Sequence, residues 1–118
     1  MDKISFGKKG EAIAQKHLAQ NGYTIIDTNY HSRYGEIDII ARKNAVYVFV
    51  EVKARRSLAF GTPGEAVGYS KQKKLILTAY QYIEKMGIED MEMRFDVIEV
   101  FISQGTVKIN QIKHAFYA

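Results

Sequence analysis

Four charged side chains lie in stretches otherwise apolar: Glu36 and Asp38 in Gly35-Glu36-Ile37-Asp38-Ile39-Ile40, and Glu51 and Lys53 in Val48-Phe49-Val50-Glu51-Val52-Lys53. Strand alternation puts Ile37 and Ile39 on one face of the first stretch, and Glu36 and Asp38 on the other. In the second, Val48, Val50 and Val52 share a face opposite Phe49, Glu51 and Lys53. If the two stretches pair as hairpin neighbours, the polar faces coincide and gather Asp38, Glu51 and Lys53. Charges in such apolar strands are costly unless paired or bound to a metal ion. One reading is an ion pair of Lys53 with Glu51 or Asp38 on a solvated sheet face. The other is a hard-cation site: the carboxylates of Asp38 and Glu51 suit Mg²⁺, for which Mn²⁺ substitutes, and the Lys53 side chain orients a metal-bound water that attacks a phosphodiester, or as the free amine deprotonates it.

The elements that must position these residues are short. Gly10 to Gly22 reads as a helix, with Ala14 and Leu18 on its apolar face, Glu11 on the edge of that face and Gly22 as its stop. Tyr23–Asn29, Glu36–Arg42 and Ala45–Ala54 are rich in β-branched and aromatic residues and read as three strands. The link Ser32-Arg33-Tyr34-Gly35 and the turn Lys43-Asn44 make them an antiparallel meander. Leu58 to Gly68, with three glycines and Pro63, reads as a loop. Ser70 caps a second helix running to Met86, with a stripe of Leu75, Ile76, Ala79, Tyr80 and Ile83 and Gly87 as its end. Two strands follow, Arg94–Ile102 and Thr106–Ala115, joined by Ser103-Gln104-Gly105. The order is α-β-β-β-α-β-β, a single α/β domain over residues 1–118, expected to bury one sheet face against helices and to carry the site on the other side.

Asp38 followed by Glu51-Val52-Lys53 on the next strand resembles the PD-(D/E)xK nuclease signature, although Ile37 stands where the literal motif has proline. The longer runs Gly35-Glu36-Ile37-Asp38-Ile39-Ile40-Ala41 and Phe49-Val50-Glu51-Val52-Lys53 closely resemble the bacterial YraN-like family, over most of the chain. The resemblance implies a restriction-endonuclease-like fold with a mixed central sheet flanked by helices. It implies Asp38 and Glu51 as Mg²⁺ ligands, Lys53 as the catalytic lysine and an endonuclease activity without an established substrate. Glu11 resembles the N-terminal helix acid that contributes to the metal site of archaeal Holliday-junction resolvases. The activity so implied is Mg²⁺-dependent hydrolysis of DNA, branched or structured DNA included. The alternative is a catalytically inactive nucleic-acid-binding module or adaptor on the same fold.

Around this centre, Arg33, Arg42, Arg55 and Arg56 flank the acids and are candidates to track a nucleic-acid backbone. Lys71, Lys73 and Lys74, at the start of the second helix, are candidates to hold a phosphate, or form a solvated turn. Gln72 projects near the inner face there, as a supporting polar group or as an ordinary first-turn residue. Glu36 shares Asp38's face, either behind the metal or at the exposed strand end. Tyr34 and Tyr69 are stacking candidates, whereas Tyr80 and Tyr82 read as core and rim. The histidines, His17, His31 and His114, have no metal spacing.

Composition frames these choices. The 118 residues carry 17 Lys+Arg against 13 Asp+Glu, a net +4 that falls entirely within residues 1–60. With no cysteine, disulfide frameworks, thiolate metal sites and thiol nucleophiles are excluded. The charged N-terminus does not read as a signal peptide, and the longest apolar run, Ala45–Val50, is too short to span a bilayer. A cytoplasmic protein with no membrane partner is expected, and a homodimer by analogy with enzymes that cut two strands.

Overall fold

The structure, a computed structural model, describes residues 2–56 and 67–118. The expected loop from Leu58 to Gly68 lies outside the described residues except for Val67 and Gly68. Seven elements follow one another: α1 (Lys3–Gln20), β1 (Thr24–His31), β2 (Glu36–Lys43), β3 (Val46–Arg55), α2 (Tyr69–Met86), β4 (Glu92–Ser103) and β5 (Thr106–Phe116).

The five strands form one mixed sheet in the order β1-β2-β3-β4-β5. β1, β2 and β3 are the expected antiparallel meander. β3 and β4 run parallel, with Val46 beside Glu92 and Arg55 beside Phe101, so the chain must cross back between them and α2 lies on that crossover. The turn between β2 and β3 falls on Asn44-Ala45, one residue later than expected, because Asn44 takes the left-handed conformation at φ 56 that the turn needs and asparagine tolerates.

Both faces of the sheet are covered, in contrast to the one-faced sheet expected. Beneath α1, Ala14 and Leu18 pack with Ile39, Ala41, Val48, Val50, Ile98 and Val100. Beneath α2, Leu75, Ala79 and Tyr82 pack with Ile37, Ile40, Phe49 and Phe95. Fully burying one such aliphatic side chain stabilises by about 2 kcal/mol, which explains why the central strands read as nearly continuous apolar runs. Ile37 joins the cluster under α2 while Ile39 joins the one under α1, so the strict alternation expected of β2 is interrupted at Asp38.

The helices depart from expectation at their starts. α1 begins seven residues before Gly10, where the Asp2 side chain accepts the Ser5 N–H at 2.8 Å and so caps it. Gly10 is therefore interior, and it is there for closeness: a Cβ on it would lie 2.8 Å from the Cβ of Ala54. This approach seats α1 on the far end of β3 and brings Glu11 to the sheet. α2 is capped by Gly68 rather than Ser70, with no side-chain cap, and ends at Gly87 in the left-handed conformation, φ 63. Tyr80, expected in the apolar stripe, is half exposed, whereas Tyr82 is core.

Candidate functional site

The site forms where β2 and β3 part. Their pairing runs from Lys43↔Val46 to Ile39↔Val50. Beyond that pair, the Val52 N–H donates to Asp38 Oδ2 at 2.8 Å. The bond fixes Asp38 against the strand that carries Glu51 and Lys53. Glu51 is buried, and two ammonium groups address one of its oxygens: Lys71 Nζ at 2.7 Å and Lys53 Nζ at 3.5 Å from Oε1. Glu11 reaches the same region from α1. With the Asn29 amide nitrogen turned toward the acids, it donates to Glu11 Oε1 at 3.2 Å and Glu36 Oε1 at 3.0 Å. Asn29 is held for this by a left-handed backbone, φ 51, at the β1 position between the pairs Thr28↔Ile39 and Tyr30↔Ile37.

The electrostatics are those of crowded acids. Burial, then the charge of Glu51, push the Asp38 carboxyl up to about 7, against the relief of the Val52 N–H, with Glu11 and Glu36 adding to the rise. Burial also raises Glu11; the Asn29 bond opposes this, and the charges of Glu36 and Glu51 reinforce it. For Lys71, burial acts to lower the ammonium pKa, but the hydrogen bond and charge of Glu51 and the charge of Asp38 outweigh it and leave it raised. Acids that repel one another across a desolvated space favour a bound cation.

The donor set consists of hard oxygens, the chemistry of Mg²⁺ or Mn²⁺, and Mg²⁺ characteristically takes one or two carboxylates and completes its shell with water and phosphate. Among the described residues no three Asp, Glu or His side chains are grouped so as to hold one ion. A two-carboxylate site of Asp38 and Glu51 suits these residues, with Glu11 and Glu36 near enough to act on it by charge.

Of the other residues singled out by sequence, some belong here and some do not. Lys71, a candidate to hold a phosphate or to lie in a solvated turn, pairs with Glu51. Gln72 donates to the Val67 carbonyl at 3.0 Å and so anchors the entry to α2. Glu36, at the exposed end of β2, also pairs with His31 at 3.6 Å. Arg42 is at the opposite end of β2, four residues from Asp38 or about 13 Å along the strand, where it bonds the Asn44 carbonyl and lies over Tyr47. Arg55 is 3.8 Å from buried Glu99, an acid on β4 that the sequence reading passed over and that also accepts from Asn110. Arg56 sits 3.9 Å over the Phe6 ring. Lys73 lies 5.5 Å from the centre of the Tyr69 ring, and Lys74 and Arg33 are exposed beside the link between β1 and β2. His17 bonds Gln111, and His114 stacks on Tyr117. No helix among the described residues is long and apolar enough to cross a membrane.

Sequence comparison finds close relatives across bacteria. A UPF0102 protein of Alkaliphilus oremlandii is 49% identical over 112 residues, covering 93% of this chain and 96% of the relative. One from Alkaliphilus metalliredigens is 46% identical over 112 residues, covering 95% and 97%, and one from Rhodococcus opacus 41% over 114 residues, covering 96% and 97%. Among solved structures, Pyrococcus furiosus SfsA in complex with Ca²⁺ aligns over 95% of this chain and 64% of that one, at 15% identity and a TM-score of 0.36, too slight a likeness to bear on the fold. The family model for UPF0102 matches residues 10–100, a span that contains Glu11, Asp38, Glu51 and Lys53, and the chain belongs to this uncharacterised protein family.

Proposed function

We propose that the chain is a metal-dependent nuclease of the restriction-endonuclease-like type, hydrolysing phosphodiester bonds in DNA, with structured or branched DNA as its substrate class. The observation that carries the reading is the clustering of Asp38, Glu51 and Glu11 with Lys53 at the point where β2 and β3 separate. An acidic centre of this kind is costly to fold unless a cation completes it. When bound, Mg²⁺ or Mn²⁺ supplies positive charge that activates water and neutralises phosphate oxygens. Asp38 and Glu51 hold that charge, and the Val52 N–H keeps the Asp38 carboxylate from turning away. Lys53 orients the attacking water and stabilises the charge that grows on the phosphate. Glu11 and Glu36, held by Asn29, add negative field behind the two ligands. Two cuts in a branched substrate take two such sites, which makes a homodimer the expected assembly.

The purified chain, incubated with Mg²⁺ or Mn²⁺ and linear, flapped, single-stranded and four-way DNAs, is expected to cleave at least one of them. Lys53→Ala is expected to slow cleavage about a hundredfold or more. No cleavage beyond that of the Lys53→Ala protein would overturn the reading.

One observation favours a second reading, a nucleic-acid-binding module without chemistry: Glu51 is already answered by the Lys71 ammonium at 2.7 Å. In that case Asp38→Asn leaves DNA binding intact or strengthens it, and calorimetry detects no Mn²⁺ binding to the unaltered protein.

A further inference from the structure

The link between β1 and β2 does not merely join strands. It is pinned to α2 by Ser32 Oγ and Thr78 Oγ1, 2.9 Å apart, and closed on itself by the Ser32 N–H donating to the Gly35 carbonyl at 2.8 Å. Its tip carries Arg33 and Tyr34, tied together by an Arg33 Nη2 bond to the Tyr34 hydroxyl at 2.8 Å, with the guanidinium 4.9 Å from the ring centre. Between this tip and the outer face of α2 runs an open groove of about 530 Å³, lined by Arg33, Tyr34, Leu77, Tyr80, Gln81 and Glu84.

Its lining is unlike a plain solvated helix face. Leu77 and Tyr80 are 44% and 50% exposed, so the helix presents an aromatic and an aliphatic surface outward at a spacing of three residues. Tyr34 adds a second ring from the other wall. Gln81 accepts a hydrogen bond from the Tyr30 hydroxyl through its oxygen, which leaves its amide group to donate; Glu84 beside it accepts. Flat apolar walls, one donor and one acceptor suit a nucleobase: the face stacks and the edge bonds.

The groove and the acidic centre are built on the same two elements, the link between β1 and β2 and the helix α2. The same link runs through Gly35 into Glu36 and Asp38, and α2 places Lys71 on Glu51 while carrying Tyr80 nine residues later, about 13 Å along the helix axis and half a turn around it. Lys73 and Lys74, both exposed, lie between. A strand that curves around α2 past these lysines would span from the groove to Asp38 and Glu51.

We propose that this groove receives an unpaired base of the nucleic-acid strand, so that the substrate is one with a single-stranded segment a few nucleotides from the scissile phosphate. The inference rests on the nuclease reading for its substrate, and its test needs no cleavage. In a metal-free buffer, binding of the full chain is measured by fluorescence anisotropy to a blunt duplex and to the same duplex with a short single-stranded overhang containing 2-aminopurine. Tyr80→Ala is expected to weaken binding to the overhang duplex about tenfold and to abolish the quenching of 2-aminopurine, with Tyr80→Phe retaining both and the blunt duplex unaffected. Equal losses on the two duplexes, no loss on either, or a change only in sedimentation, which would make the groove a contact between two copies of the chain, would overturn it. The unaltered protein's failure to cleave DNA would leave this result standing, and failure of this result would leave the nuclease reading standing.

Discussion

Two aspartates, the fully buried Asp96 and the half-buried Asp38, show how differently one sheet treats the same side chain. Asp96 is fully buried and fully answered. Arg94 donates to it twice, at 2.8 Å each, Gln111 at 3.0 Å and the His114 N–H at 3.2 Å. Arg94 in turn bonds the hydroxyl of Tyr23, the residue before β1, so the carboxylate ties β4 and β5 to the chain entering β1. Asp38 has the Val52 N–H, and its charged neighbours include three further acids, Glu11, Glu36 and Glu51. A carboxylate that the fold neutralises is structural; one that the fold desolvates and then crowds with like charge is poised for something from outside.

The largest effect expected from this contrast is at Arg94. Arg94→Met removes both charged bonds to Asp96 and leaves a buried anion without its counter-ion, which costs about 3–5 kcal/mol in urea unfolding. Adding Asp96→Asn in the same protein recovers part of that loss, because the stranded charge is gone. A loss from Arg94→Met no larger than that of an exposed arginine would remove Asp96 from the comparison.

Asp38→Asn is expected to act in the opposite direction. The ordinary value for an aspartate is 3.8, and in the folded protein Asp38 is pushed up to about 7, so between these pH values the folded state holds a proton that the unfolded chain has released. The contribution of Asp38 to the stability of the metal-free protein is therefore greatest below the lower value and falls as pH rises toward 7, by at most about 4 kcal/mol, after which the loss is constant. Asparagine keeps an oxygen for the Val52 N–H and carries no charge. The variant should melt several degrees higher than the unaltered protein at pH 8, should lose this decline with pH, and should not cleave DNA. Equal melting temperatures at pH 5 and pH 8 in the metal-free unaltered protein would show that Asp38 is as well answered as Asp96.

How much of this was open to a reading of the chain follows from the range of each interaction. The meander and the Asp38, Glu51 and Lys53 cluster rest on local hairpin pairing and on period-two alternation, both written in short stretches. Lys71 reaches Glu51 across twenty residues and a crossover, and a run of lysines at a helix start reads first as a solvated turn. Asn29 depends on a left-handed strand residue, a choice made by packing. Glu99 was hidden for a related reason: its partner Asn110 comes from β5 and its neighbour Arg55 from β3, and each looks like surface charge or amide when read alone. The start of α1 was missed because Gly7 and Gly10 weaken the helical pattern, and Gly10 is explained only by Ala54, forty-four residues on. The element order α-β-β-β-α-β-β is legible from periodicity and turn residues, whereas the two-sided core could not be inferred from faces judged one strand at a time.

The smallest expected effect tests whether the difference between the two aspartates' surroundings is already partly bridged. Lys71 brings a positive charge to Glu51 as Arg94 does to Asp96, but through one bond from a side chain that is 48% exposed. Such a half-exposed pair contributes up to about 1 kcal/mol, enough to compete with an incoming cation and too little to exclude one. Lys71→Gln is therefore expected to tighten Mn²⁺ binding about three- to fivefold by calorimetry, since a competitor leaves Glu51 while a polar side chain stays. Binding that weakens instead would mean that Lys71 does for Glu51 what Arg94 does for Asp96, holding the carboxylate in place, and that the acidic centre is built around an internal ammonium rather than around a metal ion.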